Sequence, residues 1–181
     1  MKSFSCETER LLLRPLAEGD EAFFHAIYTD PEIMRFIGTP LTETQAAGRF
    51  RKIVRRQLEA TAEGKYLVIL VRETHKAIGI CGTSDYDAKT GALEVGLVLT
   101  HEGRKQGFAR EALAALVENV FLASRIQELC VRFSPENVAA QKLASSVGFL
   151  PCTSVPSDGR DSSRCYWSAQ RQPQCPTRSF Q

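Results

Sequence analysis

The spacing of apolar residues in the first half of the chain predicts two amphipathic helices and then a series of strands. Behind Asp20, a favourable N-cap residue, apolar side chains recur at helical spacing until Asp30-Pro31 ends the pattern and starts a further helical turn. Thr42 and Gln45 have the spacing of a capping box, and the helix after them is expected to reach about residue 62, with Gly64 ending it. Strands are expected over 10–16, 66–72, 77–86 and 91–100, the last three as an antiparallel meander.

The second half alternates helices and strands. Apolar positions predict a helix over 107–123, a strand over 128–133 and a helix over 138–147 that Gly148 closes. Two last strands are expected over 149–153 and 165–168, with a polar loop between them. Strands in a run, followed by strands that alternate with helices, predict one mixed α/β domain over residues 1–170, and residues 171–181 read as a flexible tail.

Composition and charge exclude several classes of protein. The chain has 181 residues, of which 43% are hydrophobic and 24% charged, which is ordinary for a globular domain. Its longest apolar run, 66–71, is too short to span a bilayer, and the N-terminus has no apolar signal-peptide region, so a cytoplasmic protein with no membrane partner is expected. The net charge of +2 gives no indication of a nucleic-acid partner.

The cysteines predict neither a disulfide framework nor a metal site. The chain has 6 cysteines and 3 histidines, and no two cysteines have C-x-x-C spacing. Cys81, Cys130 and Cys165 fall within strand-like runs, where a reduced thiol behaves as a small hydrophobic group. We therefore expect free thiols and no metal.

A glycine between a strand and a helix, at Gly107, is the first candidate for chemistry. The first turn of a helix has unpaired N–H groups and the positive end of the helix dipole, and Arg104, Lys105 and Arg110 add charge around it. The pattern predicts a cradle for a pyrophosphate, although an ordinary strand–helix connection has the same pattern. It is neither the P-loop nor the three-glycine dinucleotide fingerprint.

The second candidate begins at Asn137, an N-cap residue directly after the strand 128–133. The helix that it starts ends at Gly148-Phe149, where the chain returns to the sheet. Helix capping alone would also account for this segment.

Together these segments resemble the GNAT superfamily of N-acetyltransferases. R-K-Q-G-F-A at 104–109 is similar to the motif that binds the pyrophosphate of acetyl-CoA in that family, and N-x-x-A with G-F at 137–149 is similar to its second motif. T-E-R-L-L-L-R-P-L at 8–16, Asp30-Pro31 and Glu94-Val95-Gly96 resemble the branch of ribosomal-protein N-terminal acetyltransferases. The resemblance implies a twisted, mostly antiparallel sheet of about six to seven strands flanked by helices, with a V-shaped split between the strands that end near Thr100 and start near Glu128.

The resemblance also implies the site residues. Backbone groups of Leu97, Val98 and Leu99 would pair with the pantetheine arm of acetyl-CoA, and Asn137 would touch that arm. Glu94 would be the general base or hold a water, the alternative being a salt bridge; His101 is a weaker candidate base, and Lys142 would either reach a phosphate or remain solvated. The phosphates would be held by Arg104 and by the backbone amides of Lys105, Gln106, Gly107, Phe108, Ala109 and Arg110.

The sequence departs from the family pattern at several places. His101 and Gly103 stand where the loop usually has a proline and an aromatic residue, and Lys105 stands where a small residue is usual. Both positions of the usual general acid, a tyrosine or a serine, hold alanine, at Ala144 and Ala140. Ser145 and Ser146 are not expected to replace them, since one residue turns a helical side chain by roughly 100°.

The expected function is transfer of acetyl from acetyl-CoA to a primary amine, possibly a protein N-terminus, by direct attack on the thioester. Two alternatives stay open: a small-molecule acetyltransferase for polyamines, amino acids or antibiotics, and a non-catalytic acyl-CoA-binding module. The N-terminal helical region, with Tyr28 and Phe36, would shape the acceptor site. Three interpretations of the basic run 49–56 stay open: it attracts an acidic substrate, it attracts the 3′-phosphate of acetyl-CoA, or it is a solvated helix face. A monomer or a homodimer is expected.

Overall fold

An eight-stranded sheet with helices on both faces forms the protein. The computed structural model describes residues 5–58, 64–84, 92–152 and 164–171. The strands are β1 (Cys6–Glu7), β2 (Leu11–Pro15), β3 (Lys65–Val71), β4 (Ala77–Thr83), β5 (Ala92–Leu99), β6 (Glu128–Phe133), β7 (Leu150–Pro151) and β8 (Cys165–Gln170). The helices are α1 (Glu21–Tyr28), α2 (Pro31–Met34), α3 (Glu43–Leu58), α4 (Phe108–Ala123) and α5 (Val138–Ser146).

The sheet opens into a V-shaped split between β5 and β6. Strands β1 to β5 pair antiparallel in chain order, whereas β5 and β6 are parallel and pair only from Ala92 with Glu128 to Glu94 with Cys130. Beyond Glu94 the two strands diverge. Strand β8 lies between β6 and β7 and pairs antiparallel with both. The predicted mixed α/β fold and its split are therefore confirmed.

Every predicted strand has a counterpart in the sheet, with ends shifted by one or two residues where the structure describes them. The one strand that the pattern did not predict is β1, whose two residues pair with Leu12 and Leu13. It raises the expected six to seven strands to eight. The expected end of α3 near residue 62, the turn at 85–90, the loop 156–163 and the tail beyond residue 171 lie outside the described residues.

Helix capping follows the sequence at α3 but not at α1. Gln45 donates its backbone N–H to the Thr42 hydroxyl and accepts from the Thr42 N–H through its own side chain, which confirms the capping box. The Asp30 carboxylate accepts the first two amides of α2. Asp20 is the N-cap residue of α1, but its carboxylate accepts two hydrogen bonds from Arg14, at 2.7 Å each, and none from the helix.

Two hydrophobic cores lie on opposite faces of the sheet. One face packs against α4 and α5, and its centre includes Leu93, Leu116 and Phe149. The other packs against α1 to α3 around Phe24 and Val98. Because residues alternate along a strand, β5 contributes to both cores and fixes the relative position of α4 and α3.

Cys6, Cys81, Cys130, Cys152 and Cys165 form no disulfide with one another, and Cys175 lies outside the described residues. Within the described ranges, no group of histidine, cysteine and acidic side chains could hold a metal ion. No helix in this part of the chain is both long and apolar enough to cross a membrane.

Candidate active site

A cleft of about 360 Å³ follows the split between β5 and β6. Its walls come from β4, β5, β6 and α5, and its far end from the loop after α2 and from Arg164. The cleft therefore includes the second predicted motif, whereas no residue of the first motif, 104–109, lines it. The predicted site residues that line it are Glu94, Leu97, Val98, Asn137, Ala140 and Ala144.

Glu94 lies at the apex of the split. Its carboxylate is 3.6 Å from Nε of Arg132 on β6, and its side chain keeps 27% of its surface exposed, against 7% for Arg132. Its carbonyl accepts the N–H of Ser84, which places Ser84 directly across from it at the end of β4. The sequence left two roles open for Glu94, a general base or a salt bridge. The structure is compatible with both, because Glu94 lines the cleft and has an ionic partner in Arg132.

The edge of β5 beyond Glu94 has backbone groups that β6 does not use. Ser84 donates to the Glu94 carbonyl and Thr100 donates to Ile78, so the even-numbered residues of β5 direct their N–H and C=O toward β4. Leu97 and Leu99 then direct theirs into the split. The polar backbone groups of Val98 face β4, and it is its side chain that lines the cleft.

The turn before α4 has an unusual backbone. Gly107 is the N-cap at φ +80°, and Lys105 adopts φ +62°, a conformation that favours glycine. Glycine would adopt this conformation without the steric penalty that a lysine meets at position 105. Within the described residues, no hydrogen bond uses the amides from Lys105 to Arg110, so the predicted cradle has its donors available. The side chains of Arg104, Lys105 and Arg110 are exposed around it.

Arg10 on the approach to β2 holds this turn in place. Its guanidinium donates to the Gln106 carbonyl at 3.0 Å, pairs with the Glu111 carboxylate at 2.6 Å and lies 4.7 Å from the centre of the Phe108 ring. Thr8 also donates to Glu111. This role of Arg10 was not predicted, although the segment T-E-R at 8–10 contains both Thr8 and Arg10.

The loop between β5 and the turn is tightly packed. A Cβ at Gly103 would lie 2.8 Å from the Ile78 carbonyl oxygen, so only glycine fits there. His101 lies outside the cleft, with Nε2 3.4 Å from the Asp30 carboxylate and 3.6 Å from that of Glu32. Of the two departures from the family pattern in this loop, Gly103 permits close packing and His101 makes ionic contacts at the surface.

The second motif forms the start of α5 and part of the cleft wall. The Asn137 side chain accepts the Ala140 amide as an N-cap. Ala144 is buried at the cleft wall, whereas Ser145 and Ser146 are exposed, and Ser146 donates to the Leu143 carbonyl. Neither serine reaches the cleft, as the helical register predicted. Lys142 is exposed.

Several cleft residues were not predicted. Tyr66, Thr83, Ser84, Arg132 and Arg164 all line it. Arg164 donates to the Ile37 carbonyl at 2.7 Å and so connects the start of β8 to the loop after α2. Tyr28 and Phe36, expected near the acceptor, line the cleft. Burial raises the pKa of the Tyr28 phenol, which makes it a weak proton donor.

A sheet that splits beside the amide-bearing start of a helix is the arrangement that the resemblance to an α/β acyltransferase implied. Residues 10–150 match the family model of the acetyltransferase (GNAT) domain, and the chain belongs to this family. One relative is the uncharacterized N-acetyltransferase p20 of Bacillus licheniformis, 29% identical over 143 residues that cover 78% of this chain and 80% of p20.

Solved structures confirm the fold. An acetyltransferase from Agrobacterium tumefaciens has a TM-score of 0.80 at 23% identity and covers 94% of this chain and 96% of its own. Spermidine N-acetyltransferase from Vibrio cholerae, in complex with CoA and spermine, has a TM-score of 0.75 at 18% identity. The match covers 90% of this chain and 96% of that enzyme. Ribosomal-protein-S5-alanine acetyltransferase from Vibrio fischeri has a TM-score of 0.77 at 17% identity. The match covers 96% of this chain and 100% of that enzyme. The same fold thus occurs with different acceptors.

Proposed function

We propose that the protein transfers the acetyl group of acetyl-CoA to a primary amine, within a domain that spans residues 1–170. The observation that carries this proposal is the split, which opens directly beyond Glu94 and is followed by a turn whose amides have no partner among the described residues. An extended thiol arm fits along the free edge of β5, and phosphates fit the turn at α4. The relative in complex with CoA has the same fold.

The chain's own residues supply the remaining chemistry. An amine must be neutral to attack a thioester, and the Glu94 carboxylate, directly or through a water, takes its proton. A backbone N–H of Leu97 or Leu99 donates to the oxyanion that develops on the thioester carbonyl. Ala140 and Ala144 supply no proton to the departing thiol. With a thiol pKa of about 8.5, the sulfur leaves as a thiolate that water protonates.

For the acceptor we propose the α-amino group of a peptide or protein. An α-amino group has a pKa near 8, against about 10.4 for a lysine or polyamine nitrogen, so a single carboxylate suffices to deprotonate it. Among the described lining residues, Glu94 is the one carboxylate and Arg132 and Arg164 are cations. A polycation would find no set of acidic partners there.

The test is an acetyl-CoA assay with release of the CoA thiol as readout, using short peptides, amino acids and spermidine. We expect turnover to be highest with peptides. Binding of acetyl-CoA is measured separately by calorimetry with the variant Arg104→Gln/Lys105→Gln, which should bind several-fold more weakly. The control is Arg125→Gln, an exposed residue just beyond the opposite, C-terminal end of α4. Equal affinity in all three proteins would contradict the assignment of the turn.

A further inference from the structure

A second cavity, of about 280 Å³, adjoins the cleft and has a strongly basic wall. Arg49, Lys52 and Arg56 follow at intervals of three and four residues, so they project from one face of α3. Its other lining residues are uncharged. The wall consists of Arg49, Lys52, Ile53, Arg56, Gly64, Tyr66, Thr83 and Ser84, and we name this cavity the basic pocket.

Two of its cations have no acidic neighbour in the described part of the chain. No ion pair there involves Arg49 or Lys52. The Arg49 guanidinium lies 5.2 Å from the centre of the Tyr28 ring, which orients it beside the cleft. Uncompensated, oriented positive charge in a concave site attracts an anion.

The basic pocket is continuous with the reaction centre. Tyr66, Thr83 and Ser84 line both cavities. Ser84 donates its amide to the Glu94 carbonyl at 2.9 Å, so the basic pocket starts one strand away from Glu94. With strands about 4.8 Å apart, the distance across β4 to β3 is about 10 Å. An extended peptide advances about 3.3–3.6 Å per residue, so two to three residues cover that distance.

We propose that the basic pocket binds an anionic group of the acceptor, a carboxylate or a phosphate two to three residues from the reacting nitrogen. This specificity rests on the proposed function. The phosphates of acetyl-CoA do not fit the basic pocket, since their turn follows the other end of β5 and α4 packs on the opposite face of the sheet from α3. The run 49–56 is therefore an acceptor contact rather than a cofactor contact.

The experiment compares isosteric, C-terminally amidated peptides. Ala-Gly-Asp-amide and Ala-Gly-Asn-amide differ in one charge, and a phosphoserine peptide distinguishes phosphate from carboxylate. We expect kcat/KM to be at least about tenfold higher for the charged peptides, the size of one charge-assisted hydrogen bond. In Arg49→Gln/Lys52→Gln the ratio of kcat/KM for the Asp peptide to that for the Asn peptide should fall close to one, with KM for acetyl-CoA unchanged. Arg49→Lys should keep it.

The matched control is Arg51→Gln/Arg55→Gln, which removes the same charge from exposed positions of α3 that do not line the basic pocket. The proposal is overturned if this control abolishes the preference equally, if the wild type does not distinguish Asp from Asn, or if KM for acetyl-CoA rises in the pocket variant.

A binding measurement keeps the two proposals distinguishable. The acetylated products, Ac-Ala-Gly-Asp-amide and Ac-Ala-Gly-Asn-amide, are titrated into wild type and Arg49→Gln/Lys52→Gln. Selective binding of the acidic product by wild type supports the basic pocket even if no amine turns over, in which case only the proposed function fails. Equal or absent binding of both products rejects the basic pocket.

Discussion

Arg10 and Glu111 join the residue before β2 to the first turn of α4 through three contacts: Nε to Oε2 at 2.7 Å, Nη2 to Oε2 at 2.6 Å and the Arg10 backbone N–H to Oε1 at 2.9 Å. Because Arg10 also donates to the Gln106 carbonyl, the same side chain fixes both sides of Gly107. The conformation of the turn before α4 is therefore set by a residue almost a hundred positions earlier in the chain.

Replacing Arg10 by glutamine should raise KM for acetyl-CoA several-fold while kcat changes little, because the turn is loosened and Glu94 is not touched. The free energy of unfolding should fall by about 1–2 kcal/mol, since the ion pair is partly exposed. Steady-state kinetics and urea unfolding measure both. Arg72→Gln is the control: Arg72 donates to the Thr8 carbonyl in the same β1–β2 turn but makes no contact with α4. An equal rise of KM in both variants would show that Arg10 acts only on stability.

Acid should weaken the same connection. Burial alone would raise the pKa of Glu111, but hydrogen bonds from Thr8 and Arg10 outweigh it and hold that pKa below its usual value. A carboxyl whose pKa is lowered by folding adds stability that is complete above its unfolded pKa of about 4.3 and is lost as the pH falls through the folded value. Below about pH 4.3 the free energy of unfolding of Glu111→Gln should therefore fall less steeply with decreasing pH than that of the wild type. Parallel curves for variant and wild type from pH 7 to pH 3 would contradict this.

Glu94→Gln keeps the shape of the side chain and removes its basicity. We expect kcat to fall by about 10²–10⁴, the usual cost of losing a general base, with affinity for acetyl-CoA unchanged. A rate within a few-fold of wild type across the pH range would mean that Glu94 serves the ion pair with Arg132 and that solvent takes the proton.

Adding a hydroxyl at Ala140 should raise turnover. Ala140 lines the cleft and is only partly buried, so Ala140→Ser brings one proton donor to the wall without filling the space. Ala144→Tyr tests the other family position, with a larger change in packing because Ala144 is 2% exposed. Ala139→Ser, on the exposed side of α5, is the control. Unchanged kcat in both cleft variants, with folding intact, would show that protonation of the thiolate does not limit the rate.

The left-handed backbone at Lys105 predicts a difference between two substitutions. A non-glycine residue in the left-handed conformation destabilises the folded state by about 1–2 kcal/mol. Glycine avoids this strain, but its greater freedom in the unfolded chain lowers the free energy of unfolding by about 0.5–1 kcal/mol. Lys105→Gly should therefore be as stable as Lys105→Ala or up to about 1.5 kcal/mol more stable, and by the same balance Gly107→Ala should lose up to about 1.5 kcal/mol. Chemical denaturation measures the three differences. A Lys105→Gly variant less stable than Lys105→Ala would contradict the strain.

Local sequence signals predicted the elements of the fold well. The strand 128–133 and the start of α5 at Val138 match the structure because their limits are set by neighbouring residues, such as the Asn137 cap. Strand β1 could not be predicted from its two residues, since it exists only through pairing with β2.

The site was predictable only where it follows a motif. The turn at Gly107 and the helix at Asn137 are local, whereas the position of Ser84 across from Glu94 depends on the register between β4 and β5. The same holds for the basic pocket: helical spacing places Arg49 and Lys52 on one face, but the sequence does not say what that face meets.

The order of strands beyond the split also governs when the site can form during synthesis. Strand β8 pairs with β6 on one side and with β7 on the other, so the C-terminal strand completes the wall that carries Arg132. Until residues 165–170 have left the ribosome, β6 has an unpaired edge and β7 has no neighbour to join. The nascent chain can assemble the meander of β2 to β5 early, but the wall of the cleft is complete only once β8 has emerged. Until then β6 presents an open sheet edge that can pair with another chain.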